Sequence, residues 1–388
     1  MRIAYVTHTR FPTEKAHGHQ VAHVCKAVSD LGHDVTLLAP DLPTGIRQDA
    51  FTYYRLPKIF TLRKLHAFDA LNHPFIPGFF AFLVSMRSYR KSLKKFFAKN
   101  KFDLLYARSP IIASALLAFG MPVVLELHTL PKRGRSGFVK LCNRCRLVIC
   151  LTSPMRDELL SWGVEKKFLM VEPDAVDLER FKKIPSSREA KRKFHLPDDR
   201  PVIGYVGSLV TFDNLQKGVK ILVDALSRLK KQGVPAFGFI VGDPAKWRKR
   251  YKHHAYEVGL SDDDIIFHDA IPSHRVAEAL AACDVLVYPA PEPKHAFFRR
   301  DTSPLKLFEY LASGVPAVCA DIPPIRDVVD KTTVRFVHPG SETSLAGAIK
   351  DVLEHPREAS VRATKGELAV GEHTWKKRMQ RILKHVSS

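Results

Sequence analysis

Residues 301–318 read DTSPLKLFEYLASGVPAV. The order is a short loop, a helix and a buried strand. Ser303 is a favoured N-cap type, and Pro304 suits the first helical position, where its missing N–H is no loss. Leu305, Leu307, Phe308 and Leu311 supply one apolar face, Gly314 fits the residue after the helix end, and the next strand starts at Pro316. A helix start offers unpaired backbone N–H groups and a partial positive charge, and Lys306 adds a full one. Such an end suits an anion, most simply a phosphate. Glu309, inside the helix, can accept hydrogen bonds from the hydroxyls of a ribose, and Asp301 lies at the loop before it. The plainer alternative is a capped helix with two solvated acids.

The segment SPLKLFEYLASGVP resembles the donor-site motif of the retaining nucleotide-sugar glycosyltransferases of family four (glycosyl transferases group 1), which have the GT-B fold. Many members carry Glu, seven residues and Glu across it. Here the second acid is Glu309 and the first position holds Asp301, one methylene shorter. The resemblance implies an α/β chain of two Rossmann-like parallel-sheet domains facing a cleft. It further implies that Ser303, Pro304, Leu305, Lys306 and Glu309 bind the donor and that Asp301 reaches its sugar.

A chain of 388 residues has room for two full cores. The expected division is 1–184 for an acceptor-side domain, 185–365 for a nucleotide-sugar domain, and 366–388 for a terminal helix crossing back to the first. Apolar content is ordinary for a globular protein, and no apolar run reaches the ~20 residues of a membrane-spanning helix. MRIAYVTHTR reads as a strand entering a fold, not as a signal peptide. Six cysteines in a chain of this length point to reduced thiols and a cytoplasmic setting. Cys142 and Cys145 form a CxxC followed by Cys150, but a zinc site needs a second ligand pair, so no metal is expected. The net charge is +21, and residues 51–150 hold 18 Lys and Arg against 3 Asp and Glu, a local excess of +15. Such a surface attracts nucleic-acid phosphates, anionic lipid headgroups or an acidic polymer.

Residues 2–6 and 35–39 read as short buried strands flanking a helix over 21–31, the start of a parallel α/β sheet. The loop FPTEKAHGHQ lies after the first strand, where open sheets bind ligands, but it lacks G-x-G-x-x-G, so no nicotinamide cofactor is indicated. It resembles the family's first loop, which carries Gly18 toward the donor diphosphate. His17 and His19 are polar candidates there, against the alternative of solvated histidines. Residues 42–78 show no clean period and read as irregular. Residues 79–99 read as a basic amphipathic helix, with Phe82, Met86, Tyr89, Leu93 and Phe96 in a stripe and Arg87, Arg90, Lys91, Lys94 and Lys95 mostly away from it. Further strands fall at 103–107, 123–127, 147–151 and 168–171. The strand at 123–127 ends in LELHT, which puts Glu126 and His128 at the sheet rim. In the family a histidine here lies close to the transferred sugar, which makes His128 a candidate.

A charged linker over 182–200 leads to a second sheet that starts at 201–207. In the family, an Arg after the second glycine of GYVGSL and a Lys before the next helix bind the diphosphate. Lys217 matches the lysine; the arginine position holds Ser208, and the loop between is long. Arg299 or Arg300 could compensate by charge. Strands at 237–241 and 265–268 precede DAIP, where the family presents backbone groups to the base; Ile271 is the nearest match. Strands over DVLVYPAP and 334–338, a helix over 341–354 and a basic terminal helix complete the chain.

The resemblance thus implies a retaining hexosyltransferase that moves a sugar from a nucleotide donor, a UDP- or GDP-sugar, to a glycan, lipid-linked or small-molecule acceptor. No carboxylate pair offers itself as acid and base, as a glycosidase would require; in the family a donor phosphate oxygen takes the acceptor's proton, and the resemblance implies the same here. Lys217, Asp301 and His128 would serve the reaction, and no further cofactor is expected. An anionic membrane surface is a further expected partner, with the enzyme peripheral on the cytoplasmic face. The rival readings are another GT-B activity, an epimerase or a phosphorylase, and a basic nucleic-acid-binding module, although the chain has no nucleic-acid reading motif.

Overall fold

The computed structural model describes residues 1–72 and 77–387. The chain divides into two compact units, Met1–Glu172 with Trp375–Ser388, and Pro173–Thr374.

The first unit is built on a seven-stranded sheet of β1 (Arg2–Val6), β2 (Asp34–Asp41), β3 (Thr61–His66), β4 (Leu104–Ala107), β5 (Val123–Leu127), β6 (Leu147–Cys150) and β7 (Leu169–Val171). The order is β3-β2-β1-β4-β5-β6-β7, and every pairing is parallel. The central strands β4, β5 and β6 are buried along their whole length, as helices on both faces of a parallel sheet require. The chain leaves β1 toward both sides, so the crevice between the C-terminal ends of β1 and β4 is the switch point where such sheets bind ligands.

Strand β3 falls inside the segment expected to be irregular, of which residues 73–76 lie outside the described residues. Its sequence TLRKLH has no apolar alternation and is exposed along most of its length. An edge strand needs only one neighbour, here β2, and backbone pairing does not require an apolar face.

The helix Gly78–Lys99 buries Met86, Tyr89, Leu93 and Phe97 in the core of this unit, and the Tyr89 hydroxyl donates to the Leu38 carbonyl at 3.1 Å. The apolar stripe read from sequence therefore serves packing, with Phe97 more deeply placed than Phe96. A different apolar set faces outward: Phe80, Leu83 and Val84 are 60, 47 and 42 % exposed. Arg87, Arg90, Lys91, Lys94 and Lys95 are all exposed.

The terminal helix Trp375–Ser387 belongs to this unit, and residue 388 lies outside the described residues. Met379, Ile382 and Leu383 are buried, and Trp375 stacks on His23 with ring centroids 6.1 Å apart.

The second unit holds a six-stranded parallel sheet of β8 (Val202–Val206), β11 (Phe237–Val241), β12 (Ile265–His268), β13 (Val285–Tyr288), β14 (Ala317–Ala320) and β15 (Arg335–Val337), in the order β12-β11-β8-β13-β14-β15. Between β8 and β11 a small antiparallel hairpin intervenes, β9 (Val210–Thr211) and β10 (Leu215–Gln216). The switch point of this sheet lies between β8 and β13. The unit begins at Pro173, where the sequence reading drew the line after residue 184, and ends at Thr374, where it was drawn at 365. The segment after Glu172 adds to the second core through Val176 and Phe181, and Val176 pairs with Thr374. The helix Pro356–Val370 buries Ala359 and Val370 in the same core.

Candidate active site

Two loops flank the switch point of the second sheet, one after β8 and one after β13. They are locked together at Gly218. Its φ is +84°, and a Cβ there would stand 2.9 Å from Ala290 N and from the carbonyl carbon of Pro289, so only glycine allows this approach. Lys217, the preceding residue, is thereby fixed beside the end of β13. Lys306 enters from the helix Leu305–Ala312, and its stem passes Gly207, the first residue after β8. Its Nζ donates to the Tyr205 hydroxyl at 2.6 Å and lies 4.1 and 5.0 Å from the ring centres of Tyr205 and Tyr288.

Among the described residues, neither Lys217 nor Lys306 has a carboxylate partner. Burial lowers the Lys217 pKa to about 8. Burial first, and then the charge of Lys217, hold Lys306 well below the ordinary lysine range. Two buried lysines, the second held down also by the charge of the first, with no acid to balance them, form a site that an anion completes.

Ser208, at the expected arginine position, contributes backbone rather than charge. The Tyr205 hydroxyl donates to the Ser208 carbonyl at 2.6 Å, and the Ser208 hydroxyl donates to the Val210 carbonyl. The long loop after it is the β9–β10 hairpin. Its tip residues Phe212 and Asp213 both have positive φ, +47° and +64°. Trp247 Nε1 donates to the Asp213 carbonyl at 3.2 Å, and the exposed Phe212 ring meets Phe297 edge to face at 5.8 Å. Phe297 in turn lies 5.7 Å from Lys217 Nζ.

The stretch 301–318 forms the expected loop, helix and strand with the start displaced. The helix begins at Leu305, Pro304 occupies the cap position, and no side chain caps it. Ser303 is not the cap, because its hydroxyl accepts from Asp174 N at 3.1 Å and ties the loop to the beginning of the unit. Asp301 is buried, and Arg300 grips it with Nε to Oδ1 at 2.5 Å and Nη2 to Oδ2 at 3.0 Å. Arg300 is thus spent on Asp301 and is not a substitute for the missing arginine, while Arg299 is exposed. Glu309 Oε1 accepts from Arg180 Nη1 at 2.9 Å. Arg180 also donates to the carbonyl of Ser273, two residues beyond Ile271. Ile271 itself packs partly buried on the core.

In the first unit, the sheet rim carries a buried polar centre. Glu126 on β5 has no exposed surface and receives four donors: Tyr106 Oη, Gln20 Nε2, His128 Nε2 at 2.8 Å and Arg378 Nη2 at 3.1 Å. Burial pushes its pKa up, but Arg378 and the bonds from His128 and Tyr106 outweigh that and hold it well below the usual carboxylate range. The Arg108 guanidinium lies against both ring nitrogens of His128, with Nε standing 2.8 Å from Nε2 and Nη2 3.0 Å from Nδ1. Burial and then the Arg108 charge lower the His17 pKa to about 4 and that of His8 in the same direction. Gly18 lies in the first turn of the helix Ala16–Asp30, and a Cβ there would collide with the Tyr54 hydroxyl and stand 2.9 Å from the Thr13 carbonyl. Its smallness is used within the fold. His19 packs edge to face on Tyr54 at 4.9 Å.

Sequence reading missed Arg180, Tyr205, Arg108 and Arg378. Arg180 stood in plain view in EPDAVDLERF and Arg378 in WKKRMQRIL, each among other charges, so nothing local marked it as buried or paired. All six cysteines are buried and unpaired, and no group of three His, Cys, Asp or Glu side chains among the described residues is arranged to hold a metal ion.

Residues 186–367 match the family model described as glycosyl transferases group 1, and residues 18–180 match that of glycosyltransferase family 4. The chain is 28 % identical over 238 residues to 2-deoxystreptamine glucosyltransferase of Streptomyces kanamyceticus, covering 61 % of this chain and 56 % of that protein. It is 23 % identical over 372 residues to the putative teichuronic acid biosynthesis glycosyltransferase TuaC of Bacillus subtilis, covering 90 % and 88 %. The fold is similar to that of Anabaena HepE in complex with UDP and glucose, with a TM-score of 0.72, 19 % identity and coverage of 100 % and 99 %.

Proposed function

This chain belongs to the group 1 glycosyltransferases of the GT-B fold, and from that premise we propose that it transfers a sugar from a nucleoside-diphosphate donor to a carbohydrate-type acceptor with retention of configuration. The observation that carries this reading is the lysine pair. Lys217 and Lys306 converge at the switch point of the second sheet without a balancing acid. A diphosphate gains charge as the sugar leaves it, so prepositioned lysines, charged when the diphosphate is bound, stabilise the transition state more than the bound ground state. Glu309 holds the ribose, Ile271 presents backbone to the base, and Ser303, Pro304 and Leu305 shape the turn against the phosphates. Asp301, fixed by Arg300, and His128, fixed by Glu126, orient the sugar. Gly18 keeps the first loop close-packed, and Ser208 offers backbone where relatives offer arginine. A donor phosphate oxygen takes the acceptor's proton as the nucleotide departs on the same face, leaving the protein to position and to stabilise charge.

The donor is a UDP- or GDP-sugar. The acceptor is a glycan, a small molecule or a lipid-linked sugar, the last favoured by the exposed Phe80, Leu83 and Val84 beside five exposed cations. That patch supports peripheral association with an anionic membrane at the cytoplasmic face. No described helix is long and apolar enough to cross a membrane.

A thermal-shift screen of UDP-, GDP- and ADP-sugars identifies the donor, because a ligand of the folded state raises apparent stability. NMR of the product then reads the anomer. With the donor in hand, Lys217→Ala lowers turnover by more than it weakens donor binding. Unchanged turnover refutes the placement of the diphosphate, and an inverted anomer refutes retention.

A further inference from the structure

Arg180 joins two segments that the proposed donor site uses. It stands in the short 3-10 turn Leu178–Phe181 near the start of the second unit. Its Nη1 donates to Glu309 Oε1 at 2.9 Å, and its Nη2 donates to the Ser273 carbonyl in the loop that follows β12. The Arg180 and Glu309 side chains are 24 and 23 % exposed, so the pair is largely sheltered from solvent but open on one side. Arg180 bonds Glu309 at Oε1, and the buried Nε of Arg180 has no hydrogen-bond partner among the described residues.

We propose that Arg180 is a positioning residue for the donor: it fixes the rotamer of Glu309 so that Oε2 meets the ribose hydroxyls, and it sets the base-side loop at a fixed distance from that carboxylate. The inference rests on the reading of Glu309 as the ribose ligand. The geometry supplies its logic. An unrestrained glutamate has three rotatable bonds, and ordering it on a ligand costs entropy that reduces affinity. A guanidinium bonded to one oxygen removes that freedom beforehand and leaves the second oxygen as an acceptor. The same guanidinium reaches a backbone carbonyl two residues past Ile271, so one side chain couples ribose and base recognition. The unsatisfied Nε is a cost that packing alone does not explain, since a shorter apolar residue would avoid it.

The test measures calorimetric affinity of the full chain for two probes: the ribonucleoside diphosphate that the parent binds, and the corresponding dideoxynucleoside diphosphate, which lacks both ribose hydroxyls. Arg180→Ala weakens the ribonucleotide about tenfold. It leaves the already weaker dideoxynucleotide within about twofold, because the interaction it prepares is missing there. Arg180→Lys, which keeps a charge near Oε1, recovers part of the loss. Circular dichroism and melting of each variant without ligand establish that it is folded. Equal losses for both nucleotides overturn the proposal, since a merely structural arginine weakens them alike. Unchanged or tighter ribonucleotide binding in Arg180→Ala also overturns it, the latter by showing that Arg180 competes with the ribose. Glu309→Gln is measured alongside. If that variant binds the ribonucleotide as the parent does, the ribose assignment itself fails, a result distinct from a failure at Arg180.

Discussion

The Arg378 guanidinium lies 3.1 Å from the Glu126 carboxylate, and neither side chain has any exposed surface. Arg378 stands on the terminal helix and Glu126 on β5, so this ion pair fastens the last element of the chain to the middle of the first sheet. Removing one partner strands a buried charge. We expect Arg378→Met to destabilise the first unit by about 3–5 kcal/mol, with Glu126→Gln/Arg378→Met recovering much of the loss. Urea unfolding followed by tryptophan fluorescence and far-UV circular dichroism measures both. A single variant as stable as the parent would show that the helix is held by its apolar face alone.

The pair also sets an acid limit. The folded-state pKa of Glu126 is depressed, so its contribution is whole above the ordinary carboxylate value of about 4.3 and is lost as pH falls below it. Stability of the parent should decline through that range more steeply than that of Glu126→Gln/Arg378→Met. Parallel curves for the two proteins would remove Glu126 from the account.

Lys217 gives the opposite window. Its folded pKa of about 8 lies below the unfolded value of about 10.4. Between those values the unfolded chain binds the proton and the folded chain does not, so stability without ligand rises with pH there. A bound diphosphate reverses the depression, so donor binding takes up a proton above about pH 8 and weakens as pH rises further. Calorimetry in two buffers of different ionisation enthalpy reads the uptake directly, and Lys217→Gln should reduce it. Lys306, lowered in the same direction, adds its own uptake. Binding with no proton uptake in the parent would place the diphosphate elsewhere.

The β9–β10 hairpin carries a local cost. Asp213 holds a φ of +64° and uses only its carbonyl, which accepts from Trp247. Asp213→Gly keeps that bond and removes the penalty of a side chain in the left-handed region, so it should stabilise the second unit by about 0.5–1 kcal/mol. A thermal melt reads the gain. No gain would mean that Asp213 is compensated by a contact of its carboxylate.

What was legible in the sequence follows the range of the physics. Buried parallel strands announce themselves by runs such as VVLEL and LVIC, because both faces of the sheet are covered. Lys217 was legible beside Gly218 and Lys306 in the first turn of a helix, and their convergence at one switch point follows from the strand order. Strand β3 was not legible, since an edge position asks little of side chains. The cap at Ser303 was misread because a tertiary donor, Asp174 N, competes for its hydroxyl. Arg180 and Glu309 are 129 residues apart, and no local period encodes such a meeting. The same holds for the basic terminal helix, where no local signal marks Arg378 as the one cation that the fold buries completely.

The last prediction concerns the helix Gly78–Lys99. Its inner stripe of Met86, Tyr89, Leu93 and Phe97 packs in the core, so the residues available to a membrane are the outward Phe80, Leu83 and Val84. These stand at helical spacing of three and four, on one side of the first turns, and exposed cations continue along the helix. An apolar patch of this kind inserts at the headgroup level while each nearby Lys or Arg gains about 1 kcal/mol on an anionic leaflet. Co-sedimentation with liposomes should therefore need anionic lipid and weaken with salt. Replacing Arg90, Lys91, Lys94 and Lys95 with Gln should lower binding at every salt concentration. Replacing Phe80, Leu83 and Val84 with Ser should leave weak, salt-labile attraction and abolish the salt-resistant fraction. Since all seven side chains are exposed, neither set should lower the melting temperature appreciably. If the parent fails to sediment with anionic vesicles at low salt, the patch has another partner and a soluble acceptor becomes the better reading.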